Sequence, residues 1–349
     1  MALARTPARD HISRMSTGVE TCTIEDGEAE LRLDRWFKRR FPALTHGRLE
    51  KLLRTGQVRL DGKRAKASDR VQAGQLVRVP PLKLDAVPKR TAPEVRAEDI
   101  AALKDWILFQ DKSVIVLNKP PGLPVQGGTK SERNLDAILA AAADTLGGRP
   151  HLVHRLDRDT SGVLLLARDP KSARTLAEAF RGKSAKKLYW ALVAGKPERP
   201  HGTIDLPLAK RMGSAGERVV ALDNEEELDL DEAGARRAIT RYATIDNAAS
   251  RVTWLALEPL TGRTHQLRVH MAALGTPILG DGKYGGSGAF VRMDGIAAQV
   301  HLHARRLRIP HPVRGTIDVK APLPPHFRRA LEALGFGAEG ADVDAFVDG

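Results

Sequence analysis

The chain has one cysteine, Cys22, in 349 residues. A lone thiol excludes a disulfide framework and any zinc site built on cysteine pairs. It points to a reducing compartment, and a cytoplasmic protein is expected. Aromatic residues are only 4%, too few for a surface that reads bases through a sheet of stacked rings. No stretch approaches the ~20 apolar residues that a membrane span needs. The N-terminus lacks the apolar run of a signal peptide, and no membrane partner is expected. Neither a Walker A string nor a GxGxxG turn occurs, which leaves a nucleotide cofactor unsupported. There is no HExxH, and His265 and His270 lack the i,i+4 spacing of a zinc helix. His301 and His303 could share a strand face but have no carboxylate or thiol beside them. No metal and no cofactor is expected.

What is present is positive charge: 56 Lys and Arg against 43 Asp and Glu, net +13, with a pI near 10. Such an excess suits a polyanion, most simply nucleic acid. The hydrophobic fraction of 42% can build a core, and the length permits two domains. Residues 1–20 are polar and without period and read as a disordered arm. Leu33, Trp36, Phe37 and Arg40 stand at helix spacing before Pro42. A second helix spans Thr45 to Arg54, with Thr45 as N-cap and Leu49, Leu52 and Leu53 buried. Asp61-Gly62 between alternating segments marks a hairpin, and a strand ends at Val79. Between Leu31 and Lys66 twelve basic residues face three acidic ones. A solvated helix face normally mixes signs, so Arg35, Lys38, Arg39, Arg48, Lys51 and Arg54 are read as an anion-binding surface. The domain spans 21–80, and 81–97, rich in Pro and charge, is a linker.

The second domain, 98–335, opens with a hairpin turning at Asp111-Lys112 and a rigid loop at Pro120-Pro121-Gly122. An Ala-rich helix covers Leu135 to Leu146, and another runs from Pro170 to Phe180. Strands follow at Lys186 to Gly195, Ala238 to Asp246 and Arg251 to Glu258, with an irregular surface insertion at 211–238 carrying the acidic run Asn224–Asp231. A helix after Thr264 buries Leu267, Met271 and Leu274, and Arg268 beside that stripe points inward. A helix from Pro325 to Leu334 closes the domain, and 336–349 is a tail.

The densest chemistry lies in His154-Arg155-Leu156-Asp157-Arg158-Asp159-Thr160-Ser161-Gly162, which runs into the apolar strand Val163 to Ala167. If extended, the segment places Arg155, Asp157 and Asp159 on one side. Asp159 to Gly162 alone would be a charged turn. The full string resembles the central motif of the RluA-type RNA pseudouridine synthases. Val116 to Gly128, Lys186 to Gly195 and Pro259 to Gly275 resemble that family's other motifs, and 31–80 resembles the S4 RNA-binding domain. The resemblance implies an α+β protein: a small S4-type domain, then a mixed, mainly antiparallel sheet with flanking helices. It implies isomerisation of uridine in RNA, closest to enzymes acting on large-subunit ribosomal RNA. Asp157 would be catalytic and act at the sugar, and Arg155 would fill the space left by the flipped base. Tyr189 would stack on the uracil and help remove the C5 proton, and Leu267 would line the site. Arg268, or failing that Arg263, would hold Asp157 ionised. Lys119 and Pro120 would support the catalytic loop. A monomer is expected.

Two other readings remain open at this point. One is a non-catalytic RNA-binding assembly factor. The other is a glycosidase that pairs Asp157 with Asp159 at the ~5 Å separation of a retaining enzyme.

Overall fold

In the computed structural model, residues 18–82, 95–127, 133–182, 184–213, 216–222 and 234–337 are described. Residues 1–17 of the expected arm, most of the linker, Gly128, the acidic run and all but the start of the tail lie outside these residues, while Glu20, expected in the arm, already belongs to a strand. The chain divides into two units, Met1–Thr91 and Ala92–Gly349.

In the first unit the apolar stripes dictate the packing. Helix α1 (Leu33–Arg40) buries Leu33, Trp36 and Phe37, and α2 (His46–Arg54) buries Leu49 and Leu53. Both stripes close on Val58, Val71, Val77 and Val79 in one core. The sheet joins β1 (Glu20–Thr23), β2 (Arg59–Leu60), β3 (Lys63–Arg64) and β4 (Leu76–Val79) in the order β1-β4-β2-β3. Asp61 and Gly62 turn the β2–β3 hairpin with φ of 48° and 76°, the doubly positive turn that the Asp-Gly pair favours. Thr45 holds the N-cap position of α2, but its side chain caps nothing.

The second unit begins with α3 (Ala97–Trp106) and the hairpin β5 (Ile107–Gln110) and β6 (Val114–Lys119). The Ala-rich helix breaks at Ala142 into α4 (Leu135–Ala141) and α5 (Ala143–Leu146). Then come β7 (His151–Leu152), β8 (Ser161–Ala167), α6 (Pro170–Arg181), β9 (Lys186–Ala194) and β10 (His201–Asp205). Residues 208–221 correct the irregular insertion expected there, because β11 (Leu208–Gly213) and β12 (Gly216–Ala221) form a hairpin. The chain continues through β13 (Ile239–Ala248), β14 (Val252–Pro259), α7 (Gln266–Ala273), α8 (Gly282–Gly285), β15 (Leu302–Pro310), β16 (Thr316–Lys320) and α9 (Pro325–Ala333).

Among the described residues the main sheet has the path β10-β13-β14-β9-β15-β8-β6-β5, with β16 beside β15 and β7 beside β8. Every pairing is antiparallel except β15 with β8. The parallel register sets Gly162 opposite Ala304, and the next strand sets Ala304 opposite Tyr189. A Cβ on Gly162 would lie 2.2 Å from the Ala304 carbonyl oxygen, and its φ is +108°. Only glycine lets the two backbones meet there. This contact carries the loop before β8 to the side of Tyr189.

Candidate active site

The expected turn at Asp159–Gly162 lies two residues earlier. Ser161 and Gly162 are already in β8, and the Thr160 N–H closes the turn on the Asp157 carbonyl at 3.2 Å. Nor is 153–160 an extended strand with Arg155, Asp157 and Asp159 on one side. It is a loop pinned at several points. Leu156 is buried in the core with Leu123, Leu164 and Ala304. The His154 imidazole accepts the Leu165 N–H through Nε2 at 2.8 Å and lies 4.5 Å from the Phe180 ring. Burial holds its pKa down to about 3, so the ring is a neutral acceptor. Lys119, fully buried at the end of β6, donates from Nζ to the carbonyls of Pro120 (2.7 Å), Leu123 (2.9 Å) and Arg158 (3.0 Å). Burial draws its pKa down to about 7, and the charges of Asp159 and Asp157 oppose that fall. The three carbonyls take all three protons of an ammonium. The support expected of Lys119 thus has a physical form: it ties β6 to the Asp157 loop.

Asp157 faces a cleft of about 580 Å³ whose wall includes Arg155, Tyr189, Arg263, His265 and Leu267. It is built by the loop that enters β8, the first part of β9, the start of β15 and the end of β14, which runs into the loop ahead of α7. Leu156, Phe180, Leu267 and Leu302 are among its apolar lining. Tyr189 is largely enclosed, and burial together with the negative charge of Asp157 raises its phenol well above the usual value. Tyr189 therefore keeps its proton at neutral pH. Lys187 also lines the cleft, with burial drawing its pKa down to about 8.

The expected pairing of Arg268 with Asp157 is corrected. Arg268 is buried, as its place beside the α7 stripe requires, but its guanidinium forks onto Asp281. Nε donates to Oδ2 at 2.7 Å and Nη2 to Oδ1 at 2.6 Å. A buried cation needs a partner, and here the partner is the aspartate before α8, whose own side chain caps that turn on Tyr284 N. Arg268 still feels the charge of Asp157 through space. Arg263 does not replace it: its Nε donates to the Arg237 carbonyl at 3.1 Å. The basic group that does approach Asp157 is His265, with Nε2 3.9 Å from Oδ1. Sequence reading passed over His265, and also Asp281 and Tyr284 as a set. His265 lay within a quoted motif, but nothing in Thr264-His265-Gln266 signals its left-handed backbone, φ 55°. Asp159 turns away from the cleft wall and pairs with Arg158 at 3.0 Å. That removes the geometric basis for a glycosidase pair with Asp157.

In the first unit, Arg35, Lys38, Arg39, Lys51 and Arg54 are exposed, and Arg48 is half-buried. Among the described residues no group of three or more His, Cys, Asp or Glu is placed to hold a metal ion. No helix there is long and apolar enough to cross a membrane.

A basic helical face in one unit and a shielded carboxylate cleft in the other define an enzyme that acts on nucleic acid. Residues 113–273 match the RNA pseudouridylate synthase family and residues 31–77 match the S4 domain. The chain is 35% identical to ribosomal large subunit pseudouridine synthase C of Pasteurella multocida, over 92% of this chain and 95% of the relative. It is 36% identical to the protein of the same name from Yersinia pestis, over 90% and 96%. Among solved structures, human RNA pseudouridylate synthase domain containing 4 matches with a TM-score of 0.54 at 30% identity, over 68% of this chain and 95% of that one. The chain belongs to the RNA pseudouridylate synthase family, isomerases that convert uridine in RNA to pseudouridine, and carries an N-terminal S4 domain.

Proposed function

We propose that the protein isomerises uridines of large-subunit ribosomal RNA, acting as a monomer in the cytoplasm. The observation that carries the chemistry is Asp157 held at the wall of one cleft with Tyr189, Arg155 and Leu267. The N-glycosidic bond must break, the uracil must turn, and C5 must join C1′. A fixed carboxylate serves as nucleophile or electrostatic partner at the sugar. A uridine reaches Asp157 only after leaving its stack, and Arg155, exposed at the mouth of the cleft, fills the vacated place. Tyr189 stacks on the extruded uracil. Its hydroxyl, protonated in the free site, serves C5 proton removal as a relay rather than as a phenolate. Leu267 packs against the base, and Arg263 stands at the rim. The exposed cations of α1 and α2 hold phosphates. The names of the relatives support the ribosomal substrate, as does the S4 domain.

Pseudouridine mapping of ribosomal RNA tests this reading. Cells lacking the gene should lose discrete large-subunit pseudouridines. A plasmid copy of the wild type should restore them, and an Asp157→Asn copy should not. An unchanged large-subunit map would refute the assigned substrate.

A further inference from the structure

At the cleft wall, His265 stands between Asp157 and Tyr284. Its Nδ1 is 2.5 Å from the Tyr284 hydroxyl and its Nε2 is 3.9 Å from Asp157 Oδ1. Its backbone occupies the left-handed region, φ 55° and ψ 18°, at the N-cap of α7. Residues with a side chain rarely hold that conformation unless their surroundings impose it. Four charged groups act on the imidazole: Asp157 from the loop before β8, Arg268 from α7, Asp281 before α8 and Lys283 within it. Burial is the largest influence and holds the ring below its usual pKa, with Arg268 and Lys283 acting the same way and Asp157 and Asp281 against it, so it is neutral at pH 7.

A neutral imidazole has one donor and one acceptor nitrogen, and its neighbours decide which is which. Tyr284 keeps its proton, its pKa being raised mainly by burial. The Val219 backbone acts on the phenol in the opposite sense and lowers that pKa, as a donor does. A phenol that keeps its proton can give it to His265 Nδ1 across the 2.5 Å contact. The histidine proton is then left on Nε2, the nitrogen that faces Asp157. Tyr284 is itself held from several sides. Its N–H meets Asp281 Oδ1, and Arg218 and Arg268 lie 5.2 and 5.1 Å from its ring centre.

We propose that Tyr284 fixes the tautomer of His265 so that Nε2–H faces Asp157, which makes His265 a positioning residue for the catalytic carboxylate. This rests on Asp157 being the reacting group. The Arg268–Asp281 fork anchors the far side of the relay. At 3.9 Å the pair is beyond hydrogen-bond distance, so the Nε2–H acts on Oδ1 as an oriented dipole. The donor then favours ionised Asp157 and fixes which oxygen faces the sugar.

Selectively ¹⁵N-histidine-labelled full-length protein tests the tautomer directly. His265 should show a protonated Nε2 and an unprotonated Nδ1. Tyr284→Phe retains the ring against Arg218 and Arg268, so the fold should persist. In that variant the His265 pattern should average or invert. At saturating large-subunit ribosomal RNA transcript, single-turnover isomerisation by Tyr284→Phe should fall about tenfold, the scale of one hydrogen bond, with unchanged RNA affinity. Its acid limb should move to higher pH, because a donor that favours the carboxylate is removed. His265→Asn, which tolerates the left-handed backbone, should move the limb the same way. A protonated Nδ1 in the wild type overturns the proposal, and so does a wild-type rate and limb in Tyr284→Phe. Asp157→Asn, assayed alongside, separates the two readings. If it is inert while Tyr284→Phe behaves as wild type, only the relay fails. If it isomerises uridine, the role of Asp157 fails and the relay with it.

Discussion

The two units treat charge in opposite ways. In the first, α1 and α2 turn their apolar stripes inward and leave Arg35, Lys38, Arg39, Lys51 and Arg54 in water. Its inward polar contact is modest: Trp36 Nε1 donates to Glu28 at 2.8 Å, with Arg40 over the same ring. In the second, cations are taken inside and meet fixed acceptors. Lys119 holds three carbonyls, and Arg268 forks onto Asp281. Exposed cations are hydrated, mobile and screened, which suits contact with a phosphate chain of variable path. Buried ones are costly but rigid, which suits the placing of a carboxylate to a fraction of an ångström. On the proposed function, affinity and chemistry fall to different physical regimes of the same side-chain types.

The largest expected difference is in acid stability. His154, His301 and His303 of the second unit are held neutral by burial, at pKa values of about 3, 4 and 3. An unfolded histidine titrates near 6.5. Below that pH the unfolded chain binds protons that the folded unit refuses, so stability falls as pH falls. The slope approaches about 1.4 kcal/mol per pH unit for each histidine. His46 of the first unit is exposed. Calorimetry from pH 7 to 5 should therefore show the transition of the second unit dropping while the first stays. Equal shifts would contradict the contrast.

Next comes the buried fork. Asp281→Ala leaves Arg268 without its partner and should cost roughly 3–5 kcal/mol. Asp34→Asn removes the partner of Arg32 on the surface of the first unit and should leave the melting temperature in place. Thermal unfolding of the two variants measures this comparison.

The same pair shows where the sequence was legible. The helical period placed Arg268 beside the inward stripe, and it is buried. Period alone gives no partner: Asp281 reaches it only because α8 follows closely and turns back. The S4-like stripes and the Asp-Gly hairpin were readable because local spacing and turn chemistry set them. The β11–β12 hairpin was missed although Gly213 and Gly216 flank its centre, because its strands mix charged and apolar residues without clean alternation. The meeting of Gly162, Ala304 and Tyr189 depends on strands from three distant parts of the chain. Motif resemblance named two of those residues, and only the sheet register joins them.

A smaller effect is expected at Tyr189. Phe keeps the ring proposed to stack on uracil and removes the hydroxyl. Tyr189→Phe should bind RNA normally and turn over about 10²-fold more slowly, within the range of acid–base contributions. Single-turnover kinetics at saturating RNA would show it, and a wild-type rate would reduce Tyr189 to a stacking residue.

The central claim is that the cleft carboxylate does the chemistry and the exposed cations do the binding. It is tested most directly by measuring RNA affinity against salt and single-turnover isomerisation on two proteins. One is Asp157→Asn, and the other changes Arg35, Lys38, Arg39, Lys51 and Arg54 together to Gln. Asp157→Asn should bind as the wild type and form no pseudouridine. The five-fold variant should still isomerise at saturating RNA. Its binding should be weaker, with a salt slope flatter by roughly 0.7–0.9 for each phosphate that is no longer neutralised. Measurable pseudouridine from Asp157→Asn, or an unchanged slope in the five-fold variant, would contradict the account.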